Sequence, residues 1–267
     1  MNRVFRTGDD TSLNVDMAGE GTPVVFLHGL CGDAGQSAEA FPDDPGFRRI
    51  NIEARGHGRS QSGALDRFSI ETFAGDVAAY IETHLEAPVI IGGISMGAAI
   101  SLRLAVTRPD LVRALVLARP AWFVASAPDN MAPNAEVGRL LAELSPHEAK
   151  AAFLAGPIGQ RLAADAPDNL ASLTGFFARE PVDVTATLLT AISKDGPGVA
   201  EDEIARIAVP ALVIGHERDV IHPIAHARAL AAAIPAARFV QITPKAEDKT
   251  RYVADFRRAL HAFLKDL

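Results

Sequence analysis

Pro88-Val-Ile-Ile-Gly-Gly-Ile-Ser-Met-Gly97, read together with the helical run that continues to Val106, decides the fold. Pro88 to Ile91 is a short apolar run without alternation, the pattern of a strand buried on both faces of a parallel sheet. Met96 to Val106 carries helical spacing and stops at Pro109. Between them stands Gly93-Ile94-Ser95-Met96-Gly97, a Gly-x-Ser-x-Gly motif. A serine held on a tight strand-to-helix turn sits in strained backbone, and the residues two positions away must be small. The helix beyond it aims its first N–H groups at the serine, where negative charge can be stabilised. A glycine-rich turn that merely packs a helix on a strand is the plainer reading, and the flanking strand and helix weigh against it.

Working outward, the same rhythm repeats. The first twenty residues alternate weakly around a turn at 8–10 and predict an antiparallel hairpin. Pro23 to Leu27, Arg49 to Glu53 and Val112 to Leu117 predict further strands, and Ser69 to Leu85 a helix. Strands alternating with helices imply right-handed crossovers and a mainly parallel sheet. From 120 to about 195 the pattern is only short helical stretches broken by Pro128, Pro133, Pro146, Pro157, Pro167 and Pro181, with Trp122, Phe123, Phe153, Phe176 and Phe177 among them. The strand pattern resumes at Val209 to Ile214, followed by a helix (224–234), the strand Arg238 to Ile242, and a last helix from about 250. The expected organisation is a core of residues 1–119 and 196–267 with a helical cap, or lid, at 120–195.

The 267 residues suit one large domain with an insertion, and 48% hydrophobic content supports a substantial core. A net charge of −7 and no basic block argue against nucleic acid. No window holds 18 uncharged apolar residues, so no membrane span is expected. The opening MNRVFRTGDD lacks the apolar core of a signal peptide, and the single cysteine, Cys31, cannot form an intrachain disulfide. A cytoplasmic location is expected, with a homodimer left open. Neither metal nor cofactor is expected: His222 and His226 are four apart, but no further ligand accompanies them.

Read in order, Phe26-Leu-His-Gly-Leu30, Glu53-Ala-Arg-Gly-His-Gly-Arg-Ser60, the Ser95 motif, Arg108-Pro-Asp-Leu-Val112 and Val209-Pro-Ala-Leu-Val-Ile-Gly215 with Asp219 and Pro223 resemble the α/β-hydrolase superfamily over nearly the whole chain. The resemblance implies an α/β fold with a mostly parallel eight-stranded sheet flanked by helices. It implies Ser95 as nucleophile, Asp219 as the acid of a triad with Glu217 the nearby alternative, and the backbone N–H groups of Leu30 and Met96 as an oxyanion hole. Gly29 would let the backbone approach a small-molecule substrate, and His28 brace the loop or touch that substrate. Arg119 could hold a substrate carboxylate, an exposed arginine at a strand end being the plainer reading, and Trp122 belongs to the aromatics that either roof the site or form the lid's own small core. Glu53 stands where similar proteins have aspartate, in a structural turn, and His57 is expected to face solvent. Cys31 reads as a small apolar filler.

The histidine is the difficulty. A serine needs a base, and a carboxylate must orient that base. Similar proteins place the histidine after the last strand, near Ala246 by count from Phe256. The stretch Ile242 to Thr250 contains none. His222, three residues past Asp219, is the best substitute; His216 and His226 are poorer, and His261 lies too late. Lys245 offers a Ser–Lys alternative, although a solvated Lys245 is the simpler expectation. A partial triad would retain about 10³–10⁴-fold catalysis over water. The expected function is thus hydrolysis of an ester, lactone or related carbonyl compound. The alternatives are a non-catalytic ligand-binding protein of the same fold and cofactor-free chemistry such as carbon–carbon cleavage or perhydrolysis.

Overall fold

The computed structural model describes residues 2–267. Strands β1 (Asn2–Arg6), β2 (Ser12–Ala18), β3 (Thr22–Leu27), β4 (Phe47–Ile52), β5 (Val89–Ile94), β6 (Val112–Ala118), β7 (Ala211–Gly215) and β8 (Ala237–Gln241) form one eight-stranded sheet in the order β1-β2-β4-β3-β5-β6-β7-β8. β2 pairs antiparallel with β1 and with β4, and the remaining pairs are parallel. The expected hairpin turn has Asp10 at φ 64° and the Thr7 N–H donating to Thr11 O at 3.0 Å.

Helices α1 (Ala34–Ala40), α2 (Ile70–His84), α3 (Met96–Thr107), α4 (Ala132–Glu143), α5 (Pro146–Ala155), α6 (Pro157–Asp165), α7 (Pro167–Phe176), α8 (Val182–Lys194), α9 (Glu201–Ile204), α10 (Ile224–Ala233) and α11 (Lys249–Lys265) complete the chain. Among the described residues no strand lies between β6 and β7. None of the helices is long and apolar enough to cross a membrane.

β5 shows why its sequence does not alternate. Val89 and Ile91 enter the core on one face of the sheet, while Ile90 and Ile94 enter the core on the other. Both faces are dry, so every position favours an apolar or small residue. The second core is closed by α11, whose Phe256, Leu260, Phe263 and Leu264 recur at helical spacing on one side. Asp248 caps this helix by accepting the Arg251 N–H at 2.9 Å. The first core continues from the sheet into α4–α8 through Trp122, Met131, Val137, Phe153 and Leu188 without a break. The helices between β6 and β7 are therefore anchored to the sheet by shared apolar packing, which holds them over the carboxyl ends of the strands.

Candidate active site

Ser95 lies between β5 and α3 with φ 55° and ψ −109°, backbone strain that an L-residue adopts only when its surroundings impose it. Its N–H is tied to Ala118 O at 2.9 Å. The two glycines are sterically required. A Cβ on Gly93 would stand 2.7 Å from Leu27 O and from the Gly97 carbonyl carbon; one on Gly97 would stand 2.6 Å from Leu27 O and 2.8 Å from His28 O. These are backbone atoms that cannot swing aside.

The loop after β3 completes the front of the site. His28 is buried, with Nδ1 2.8 Å from Gly29 O and Nε2 accepting the Ala54 N–H at 3.1 Å. Both ring nitrogens are thus engaged, so His28 braces the loop and does not line the cavity. The Gly29 N–H is taken by Gln36 Oε1 at 2.6 Å. The N–H groups of Leu30 and Met96 have no acceptor among the described residues. Two unpaired donors on either side of a serine form a site where a developing oxyanion could be held.

The Asp219 carboxylate lies in the loop between β7 and α10 and is almost fully buried. It accepts from Arg119 Nε at 3.0 Å and Nη2 at 2.5 Å, from Asn169 Nδ2 at 3.0 Å, and from the His222 N–H at 3.0 Å. His222 Nδ1 lies 3.0 Å from each carboxylate oxygen and 3.1 Å from Arg119 Nη2. Arg119 Nη2 can only donate and makes its shorter bond to Asp219; the carboxylate can only accept, so a bond from His222 to it places the proton on Nδ1 and leaves the basic lone pair on Nε2. Burial alone would raise the Asp219 carboxyl, but the Arg119 charge, and then His222, hold it well below the usual range. Burial lowers His222, with Arg119 adding to it and Asp219 opposing. The acid is therefore ionised and the imidazole neutral at neutral pH, the states a base and its orienting partner require.

Ser95, Arg119, His222 and Lys245 share a cavity of about 90 Å³ that is partly open to solvent. No hydrogen bond joins the Ser95 hydroxyl to an imidazole among the described residues. Among the sequence-derived candidates, the cavity brings together Ser95, His222, Gly29, Leu30 and Arg119. Trp122 is elsewhere: it is buried in the first core, and its Nε1 donates to Asp195 O at 2.9 Å. Phe176 alone of the five aromatics lines the cavity, while Phe153 and Phe177 pack on each other at 5.8 Å.

Several expectations are corrected. His57 does not face solvent; it is fully buried, its ring tilted against His28 at 4.8 Å and set edge-on to Phe73. Lys245 is not freely solvated; it is half-buried on the cavity wall. Arg119 is not an exposed strand-end arginine; it is buried at φ 45° and gives two N–H donors to Asp219, with Tyr252 Oη 3.4 Å from Nη1. Glu53 acts structurally as expected, accepting from the Asn14 side chain and from the Ala34 and Arg59 N–H groups. Cys31 is a packing residue whose thiol burial pushes up to about 11, far from a reactive thiolate.

Asn169 is the site residue that sequence reasoning missed. It projects from α7, donates Nδ2 to Asp219, and accepts the Val220 N–H at 2.8 Å and the Ile221 N–H at 3.3 Å on Oδ1. Nothing local marks it, because its partners lie about fifty residues away.

The class defined by this arrangement is that of the α/β hydrolases. A sequence model of the family described as alpha/beta hydrolase fold matches residues 22–247, and the chain belongs to that family. It is 32% identical over 239 residues to a Mycobacterium tuberculosis protein named "Putative non-heme bromoperoxidase BpoC", covering 86% of this chain and 88% of that one. It is 30% identical over 273 residues to the pimeloyl-[acyl-carrier protein] methyl ester esterase of Chromobacterium violaceum, covering 95% and 98%. The fold superposes on the enol-lactonase from Burkholderia xenovorans LB400 with a TM-score of 0.72 at 24% identity, covering 98% of this chain and 100% of that one. Hydrolases are thus among its relatives.

Proposed function

We propose that the protein is a serine hydrolase of small ester, lactone or related carbonyl substrates, working through an acyl-enzyme on Ser95. The observation that carries this reading is the Asp219–His222 pair: an imidazole oriented by a buried carboxylate, on the same cavity wall as a serine held in an elbow. In this mechanism His222 Nε2 removes the Ser95 proton as Oγ attacks the carbonyl carbon. The Leu30 and Met96 N–H groups receive the oxyanion. His222 then returns the proton to the leaving oxygen, and water enters by the same route in reverse. Asp219 keeps its charge throughout and stabilises the imidazolium. Residues 120–195 act as the cap that covers the substrate, with Phe176 as part of its apolar lining.

The second reading, a non-catalytic binding protein, is favoured by one observation: Ser95 and His222 share no hydrogen bond, so the proton path needs movement on substrate binding. The two readings are separated by turnover of a short activated ester. The hydrolase reading expects turnover that disappears in Ser95→Ala; wild-type protein that turns over no ester while still binding ligands in the cavity would refute it.

A further inference from the structure

The charge in the cavity before Ser95 is unbalanced. The charged side chains that line it are Arg119 and Lys245, both cations, while much of the wall is Leu30, Met131, Leu173, Phe176 and Ile221. The Arg119 charge is answered by Asp219 behind it. That of Lys245 is not: it makes no hydrogen bond and no ion pair among the described residues. Three of the acidic side chains around it are committed elsewhere. Glu39 pairs with Lys249 at 3.0 Å, Glu247 with Arg218 at 3.7 Å, and Asp248 caps α11. Asp168, whose buried Oδ1 has no hydrogen-bond partner, forms no ion pair with it and acts on it only through space. Burial, followed by Arg119, lowers the Lys245 pKa, the direction expected of an ammonium lacking a counter-charge. On the same wall Asn134, 5% exposed, leaves its buried Oδ1 without a partner. The cation without a paired side chain calls for an anionic group, and the amide oxygen, an acceptor, calls for a separate donor, so both are poised for a ligand rather than for the fold.

We propose that this cavity takes a substrate carrying a carboxylate, such as the half-ester of a dicarboxylic acid or an acid-substituted lactone, and that Lys245 binds that carboxylate. The reacting end of the substrate rests on Ser95 as nucleophile; the anion site stands apart from it. Lys245 is then a specificity residue, pairing with the free acid while the ester carbonyl lies at Ser95.

The test has a binding arm and a kinetic arm. Glutarate and its neutral diamide are titrated by calorimetry into wild-type protein, Ser95→Ala, Lys245→Met and Lys245→Arg. A charge-assisted contact predicts that glutarate binds wild-type and Ser95→Ala alike, about tenfold to a hundredfold tighter than the diamide. Lys245→Met should lose that margin and Lys245→Arg keep most of it. In the kinetic arm, the preference for mono-p-nitrophenyl glutarate over p-nitrophenyl butyrate should fall at least about tenfold in Lys245→Met, through KM. Glutarate binding no tighter than the diamide, or unchanged in Lys245→Met, overturns the proposal. So does an equal fall in kcat on both esters, which would make Lys245 a proton-transfer group. Intact glutarate binding without turnover of either ester would refute the hydrolase reading and leave the anion site standing.

Discussion

Asn169→Ala removes the one side chain that ties α7 to the loop carrying Asp219 and His222. Three hydrogen bonds disappear together: Nδ2 to Asp219 at 3.0 Å, and the Val220 and Ile221 N–H groups to Oδ1 at 2.8 and 3.3 Å. A lost bond to a charged acceptor is worth about 1.5–3 kcal/mol, and each stranded buried donor costs about 1–3 kcal/mol. The three share one side chain, and water can enter from the cavity, so their contributions overlap. The expected loss is about 2–4 kcal/mol, a large part of the ~5–15 kcal/mol that holds a typical domain folded. Urea unfolding measures it, and ester turnover reports the second consequence, a fall in kcat as His222 loses its fixed orientation. Asn169→Asp gives a pH signature: the new carboxylate faces the ionised Asp219, so its penalty should be larger at neutral pH than in mild acid. A stability loss under about 0.5 kcal/mol with kcat unchanged would refute the role assigned to Asn169.

Other substitutions probe the elbow and the acid. Gly97→Ala would ordinarily gain about 1 kcal/mol of helix propensity; the 2.6 Å approach to Leu27 O should turn this into a loss of about 1–3 kcal/mol, read by thermal unfolding. Asp219→Asn strands the buried Arg119 guanidinium and should cost about 3–5 kcal/mol, measurable by urea unfolding at pH 7. Wild-type stability should decline in two windows on acidification. His28, His57, His216 and His222 are all lowered from 6.5 by burial, so the unfolded chain binds more protons below that pH and the native state weakens. Asp219 is held below 3.8, so its contribution is present above that value and is lost as pH falls through its lower folded pKa; Asp219→Asn should lack this second window.

The sheet was legible because its strands are buried on both faces. Runs such as Pro88 to Ile91 and Val209 to Ile214 are short, apolar and bounded by turn residues, which favours a strand covered on both faces, and β5 and β7 lie on them. The elbow was equally legible, since the steric demand at Gly93 and Gly97 is local. The contact between His222 and Asp219 was legible only as a choice of imidazoles, because whether His222 faces Asp219 depends on loop geometry. Arg119 and Asp219 are a hundred residues apart in sequence, and no periodicity connects them. His57 looked exposed because it sits in a glycine-rich turn; packing against Phe73 and His28 buries it instead. Lys245 read as solvated from its acidic neighbours, yet Glu247 turns to Arg218 and Asp248 to the start of α11.

The central claim is that Ser95 is a nucleophile activated by His222. Labelling with an alkyl fluorophosphonate, followed by peptide mass analysis, tests it most directly. The account predicts the adduct on Ser95, none in Ser95→Ala, and labelling slowed about a hundredfold or more in His222→Ala. It also predicts that the acid limb of the wild-type rate lies below pH 6.5, because burial lowers the His222 pKa. No adduct on wild-type Ser95, or an unaltered rate in His222→Ala, would contradict it.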